Sequence, residues 1–153
     1  MTTQRIDYPK VVPEAFKAMM GLATHVRRSG LPHQLLLLID TRVSQINGCA
    51  YCIDMHTKDA RAAGETEQRL YALSAWRETP FFSERERAAL AWAEAVTELG
   101  HGHVSDAVYT EARRHFDERE LVELTMATVT INSWNRLAIA FRMEVGGYTP
   151  PAK

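Results

Sequence analysis

The chain is poor in cysteine, in net charge, in strand-forming patterns and in long apolar runs, and each shortage narrows what it can be. Two cysteines among 153 residues cannot staple a secreted disulfide scaffold, which needs several pairs closing long loops. The 18 basic and 19 acidic side chains nearly cancel, leaving no electrostatic footprint for nucleic acid or an anionic membrane surface. The longest purely aliphatic run, Leu35 to Ile39, is far too short to cross a bilayer. The opening residues MTTQRIDYPK carry no apolar segment of the secretory type, so a cytoplasmic location is the expectation. Alternating β-branched runs bounded by turn residues are also missing.

What the chain has instead is helical periodicity almost throughout. Pro13 opens a first expected helix through Phe16, Met19, Met20 and Ala23, which stops near Ser29-Gly30. A second, His33 to Gln45, has an almost wholly apolar middle and ends at Asn47-Gly48, residues that tolerate left-handed geometry. A third runs from about Cys49 to Gly64, and a fourth from Glu65 to Trp76 before Thr79-Pro80. Ser83 and Glu86 form a capping-box pair opening a fifth, which Gly100 ends. Ser105 caps a sixth up to His115, and Asp117 to about Arg142 is helical again, with a kink or split expected near Asn132-Ser133. Residues 1–153 therefore read as one all-α domain of six to seven helices, ending in a short flexible tail, GGYTPPAK. The generous apolar faces of the second and last helices point to a homo-oligomer or to a lone buried core.

Chemistry concentrates in SQINGCAYCIDMHTKDAR. At about 100° per residue, Cys52 lies roughly 60° from Cys49 and His56 projects between them. The three share one narrow helix face, with Cys52 and His56 one turn apart, where an imidazole can take a thiol proton directly or through a water. Cys49, at the expected helix start, gains from unpaired backbone N–H groups and the macrodipole. Two adjacent thiols suit oxidation: one becomes a sulfenic acid and the other condenses with it to a disulfide. The rival readings are a buried pair of plain small hydrophobes and a zinc site. The latter needs a fourth ligand, from His101, His103 or His115. No cofactor and no metal are expected. His101-Gly102-His103 reads as a polar loop, and Trp76, Trp92 and Trp134 as core or interface residues.

The run Ser44-Gln45-Ile46-Asn47-Gly48-Cys49-Ala50-Tyr51-Cys52, with His56 four positions on, resembles the core motif of the AhpD-like alkylhydroperoxidases. These belong to the carboxymuconolactone decarboxylase superfamily. The motif occupies residues 42–61, and the similarity continues through GETEQRLYALSAW, PFFSERERAALAWAEAVTEL and INSWNRLAIAFR. The resemblance implies an all-helical fold assembling as trimers or hexamers. It also implies a thiol peroxidase acting on hydroperoxides, reduced by a dithiol, a lipoyl group or a thioredoxin-like partner. Carried over by position, Cys52 attacks the peroxide, Cys49 resolves and His56 shuttles the proton; the helix dipole favours Cys49 as the more acidic thiol.

One position departs from that pattern. A glutamate common in the family twelve residues before the first cysteine is here Leu37, which cannot carry a proton. Asp40, three residues on, is the candidate replacement; the competing reading is an aspartate paired with Arg42 or Arg136. Asp59, one turn beyond His56, is a second candidate orienter or a solvated charge. Two other functions stay open at this stage. One is decarboxylation of a carboxylated lactone, which needs no thiol pair; the other is a non-catalytic oligomeric redox sensor or metal-binding module.

Overall fold

Prolines open the first helices of the chain, which a computed structural model describes over residues 3–151. Pro9 lies in the first turn of the short α1 (Tyr8–Val11), and Pro13 starts α2 (Pro13–Arg27). After Pro32 comes α3 (His33–Asn47), ended by Gly48 at φ +67°, where a Cβ would be strained. Cys49 caps α4 (Ala50–Ala62) and Thr66 caps α5 (Glu67–Ala72). The expected Ser83–Glu86 capping box is formed at the head of α6 (Glu84–Thr97). Ser105 caps α7 (Asp106–His115), and a second capping box, Asp117 with Glu120, starts α8 (Glu118–Phe141). Among the described residues there are eight α-helices and no strand.

The all-α expectation therefore holds, with three differences. The eighth helix is α1, too short for periodicity to register. The last helix is not split: Asn132 Nδ2 and Ser133 Oγ bond to the carbonyls of Thr128 and Val129, one turn back, and the ladder continues through them. The expected fourth helix instead tightens into a 3-10 stretch, Leu73–Glu78, with Ala75 outside helical geometry. There Arg87 of α6 donates to the carbonyls of Trp76, Arg77 and Thr79, satisfying them without a helical ladder.

The apolar middle of α3 becomes the axis of the fold. Leu38, Ile39 and Val43 are fully buried, and α3 packs against α4, α6 and α8. Leu73, Trp76, Leu90, Leu124 and Ile131 complete the same core. Trp76 and Trp92 are buried with their indole N–H groups on Glu94 and Thr125, and Trp134 packs edge-on against Phe16. No helix is long and apolar enough to cross a membrane, among the described residues.

Candidate redox site at the α3–α4 junction

The site begins with a tight turn. Gly48 in left-handed geometry lets the Cys49 N–H reach back to the Ser44 carbonyl at 3.0 Å, closing α3. The chain then re-enters a helix at once, with Cys49 as N-cap and its Sγ accepting from the Cys52 N–H at 3.4 Å. A sulfur at this position faces the unpaired N–H groups of the first turn, an environment that favours thiolate. The two cysteines are joined as a disulfide with Cα atoms 5.4 Å apart, and only 1% and 2% of their surfaces are exposed.

Behind the turn lies a buried amide cluster. Asn47 Nδ2 donates to Asn132 Oδ1 at 3.0 Å and to Asn135 Oδ1 at 2.9 Å, and Asn135 Nδ2 donates to Ser44 Oγ at 3.1 Å. These bonds lock the last turn of α3 to the middle of α8, holding the Gly48–Cys49 corner from behind.

His56 sits one turn beyond Cys52 and is 9% exposed. Neither ring nitrogen has a hydrogen-bond partner. Burial lowers its pKa from 6.5 to about 4, against the pull of Asp59 and with a further push from Arg27, so the ring is neutral at physiological pH. Its Nδ1 lies 3.7 Å from Asp40 Oδ2, too long for a direct hydrogen bond, so a small shift of either side chain is what would close one. Burial raises Asp40 from 3.8 to about 7, opposed by Arg27 and His33 and helped by Asp59. The Asp40 side chain keeps 26% of its surface accessible, so protons can enter from outside.

Cys49, Cys52, His56 and Asp40 are therefore brought together. Leu37 faces elsewhere, in an apolar cluster with Ala60 and Leu70. The expected competitors for Asp40 are engaged otherwise: Arg42 pairs with Glu94 at 2.7 Å, and Arg136 donates to Asn132. Asp59 accepts from Tyr148 Oη at 2.7 Å. Of the other histidines singled out, His101 lies near Glu98 and His115 on Glu111, while His103 sits in the loop before α7 at φ +58°. The described residues contain no group of three His, Cys, Asp or Glu side chains arranged to hold a metal.

Sequence reasoning missed the side chains that roof the site. Tyr51 and Met143 pack against the cluster of Cys49, Cys52 and Ala138, and Tyr148 reaches α4 from the far end of the chain. Tyr51 is a neighbour of both cysteines in the chain, but no local pattern marks Met143 and Tyr148, because their contacts join segments about ninety residues apart.

Comparison with known proteins places this geometry. The carboxymuconolactone decarboxylase family model matches residues 13–95, from α2 through most of α6. The uncharacterised protein YdfG of Bacillus subtilis is 46% identical over 138 residues, covering 90% of this chain and 94% of that protein. A crystal structure from Agrobacterium tumefaciens, of a protein of unknown function with a suggested AhpD-type antioxidant role, is 44% identical. It covers 95% of this chain and 100% of its own, with a TM-score of 0.92. The debrominase Bmp8 shares the fold alone, at 24% identity and a TM-score of 0.80 over 88% of this chain and 73% of its own. The chain is an AhpD-like member of the carboxymuconolactone decarboxylase family.

Proposed function

We propose that the protein is a thiol peroxidase that cycles Cys49 and Cys52 between dithiol and disulfide, with His56 and Asp40 moving the protons. The observation that carries this reading is the sulfur pair at the head of α4, one turn from a buried, unpartnered imidazole that lies 3.7 Å from a carboxyl. The antioxidant role suggested for the Agrobacterium relative agrees with it.

In the reduced protein, His56 takes the Cys52 proton and the thiolate attacks a hydroperoxide oxygen. The O–O bond breaks, Cys52 becomes a sulfenic acid, and the alkoxide leaves with the proton from His56. Cys49, held acidic by the helix N-terminus, then attacks the sulfenic sulfur and expels water, forming the disulfide. Two thiols and one hydroperoxide thus give one disulfide, one alcohol and one water. A dithiol of the lipoyl or thioredoxin type restores the pair. Its thiolate attacks Cys52, Cys49 departs as the better leaving group, and the donor closes its own disulfide. A thiolate at Cys52 favours the imidazolium form of His56, so the low pKa belongs to the oxidised state. Asp40, near neutrality, passes the proton outward in place of the glutamate that Leu37 displaces. Exposed Val122 and Val129 on one face of α8 support self-association.

The test is a single-turnover reaction of the reduced protein with an organic hydroperoxide, counting thiols. Wild type should lose two thiols per chain, and Cys49→Ser should stop at a sulfenic acid that dimedone traps. Cys52→Ser reacting as fast as wild type would falsify the mechanism. Turnover of a carboxylated lactone after both cysteines are replaced would revive the decarboxylase reading.

A further inference from the structure

Cys49 and Cys52 are buried, yet a disulfide is reduced only when an incoming thiolate reaches one of its sulfurs. Something over the pair has to move. The apolar side chains packed against it are Ala138, Tyr51 and Met143. Ala138 lies in the last turn of α8 and Tyr51 in the first turn of α4, so the backbones that carry both are held in helices. Met143 lies outside any helix. It follows Arg142, whose left-handed geometry (φ +53°) turns the chain off the end of α8.

From Met143 onward the chain runs back along α4, from the sulfurs toward the neighbours of His56. Tyr8 Oη donates to Met143 Sδ at 3.4 Å. The Gly146 N–H donates to Asp54 Oδ2 at 3.3 Å, and Lys58 Nζ donates to the Tyr148 carbonyl at 3.0 Å and the Gly146 carbonyl at 3.4 Å. Tyr148 Oη closes the series on Asp59 Oδ1 at 2.7 Å, three residues after His56. The charged side chains Asp54, Lys58 and Asp59 are all only partly exposed. The attachment is polar and lies near water, apart from the single apolar seat of Met143, so it can release as a unit while the helices stay folded.

We infer that the segment Met143–Tyr148 is a strap over the redox pair, and that Met143 and Tyr148 set how readily a reductant reaches the Cys49–Cys52 disulfide. The strap deepens the peroxidase reading but depends only on the disulfide being the site of exchange. Its test uses dithiothreitol and no peroxide, so the two readings fail separately.

The oxidised full chain is mixed with dithiothreitol, quenched with N-ethylmaleimide at intervals and weighed by mass spectrometry. The variants are Tyr148→Phe, Met143→Ala and a deletion of residues 144–153, each with a thermal melt. The deletion should be reduced roughly tenfold faster than wild type, and the two substitutions several-fold faster at unchanged helix content. Tyr148→Phe is decisive because the hydroxyl it removes touches Asp59 and no core group. Rates within twofold of wild type for all three overturn the strap. So does acceleration confined to the deletion together with a lowered melting point.

Discussion

Asp40 and His56 are the two side chains whose ionisation the fold changes most, and in opposite senses. The folded chain prefers Asp40 protonated, since burial raises it from 3.8 to about 7. The stabilisation linked to that proton is complete below the unfolded value and is lost as pH rises through the folded one. Asp40→Asn, neutral at every pH, should therefore gain on wild type between about pH 4 and 7, by at most about 1.4 kcal/mol per pH unit. Urea titrations across that window measure it; a difference independent of pH would contradict the burial. The same variant should lose the limb of the peroxide pH–rate profile near pH 7, and a profile matching wild type would remove Asp40 from the relay.

The corner between α3 and α4 is where backbone geometry sets chemistry. Gly48 has open space around the position of a Cβ, so replacing it is opposed by its φ of +67° alone. Gly48→Ala should cost about 1–2 kcal/mol, and Gly48→Asn distinctly less, because asparagine tolerates left-handed geometry. Chemical denaturation of the oxidised protein checks both. The amide cluster behind the corner supplies a second case. Asn135→Ala leaves Asn47 and Ser44 each short of a partner in a buried place, a loss of roughly 1–3 kcal/mol. Asn135→Asp, which keeps the acceptor but replaces the amide donor, should not rescue it.

Across the whole molecule, acid should weaken the fold. Glu94 lies below its usual value of 4.5: burial pushes it up, but hydrogen bonds from Trp76, Arg42 and Arg77 outweigh that. Glu86 is depressed for the same kind of reason, with Arg69 and Ser83 as donors to its carboxylate. A depressed carboxyl stabilises above its unfolded value and gives that up as pH falls through the folded one. His56 acts in the same sense, because its neutral form is favoured above 6.5 and the advantage is lost as pH falls through about 4. Asp40 pulls the other way over the same window, between about pH 7 and 4, and offsets it. The melting temperature should therefore stay nearly level down to about pH 4.5 and fall below it as the depressed glutamates protonate. Glu94→Gln, already lacking the charge, should be less stable at neutrality with a flatter acid slope. Equal slopes would mean that the Glu94 cluster is not coupled to folding.

Much of the architecture was legible in local pattern. Pro13, Ser83 with Glu86, Ser105 and Gly48 act on their own turns, so helix starts and stops could be read from them. The grouping of Cys49, Cys52 and His56 was legible for the same reason: they lie within two turns at the head of one helix, where spacing alone dictates which side chains share a face. Other features depend on which helix lies against which, and no local period encodes that. Asp40 faces the imidazole instead of pairing with Arg42 or Arg136 because α3 packs on α4 while Glu94 and Asn132 engage the two arginines. Gly146 and Tyr148, at the start of the tail, lie along α4 because Asp54, Lys58 and Asp59 present donors and acceptors to them. The sequence alone was enough to determine a cysteine pair with an imidazole one turn away. The tertiary packing decided the burial that shifts the proton affinities of His56 and Asp40, and the cover over the sulfurs, because both arise from contacts between segments far apart in the chain.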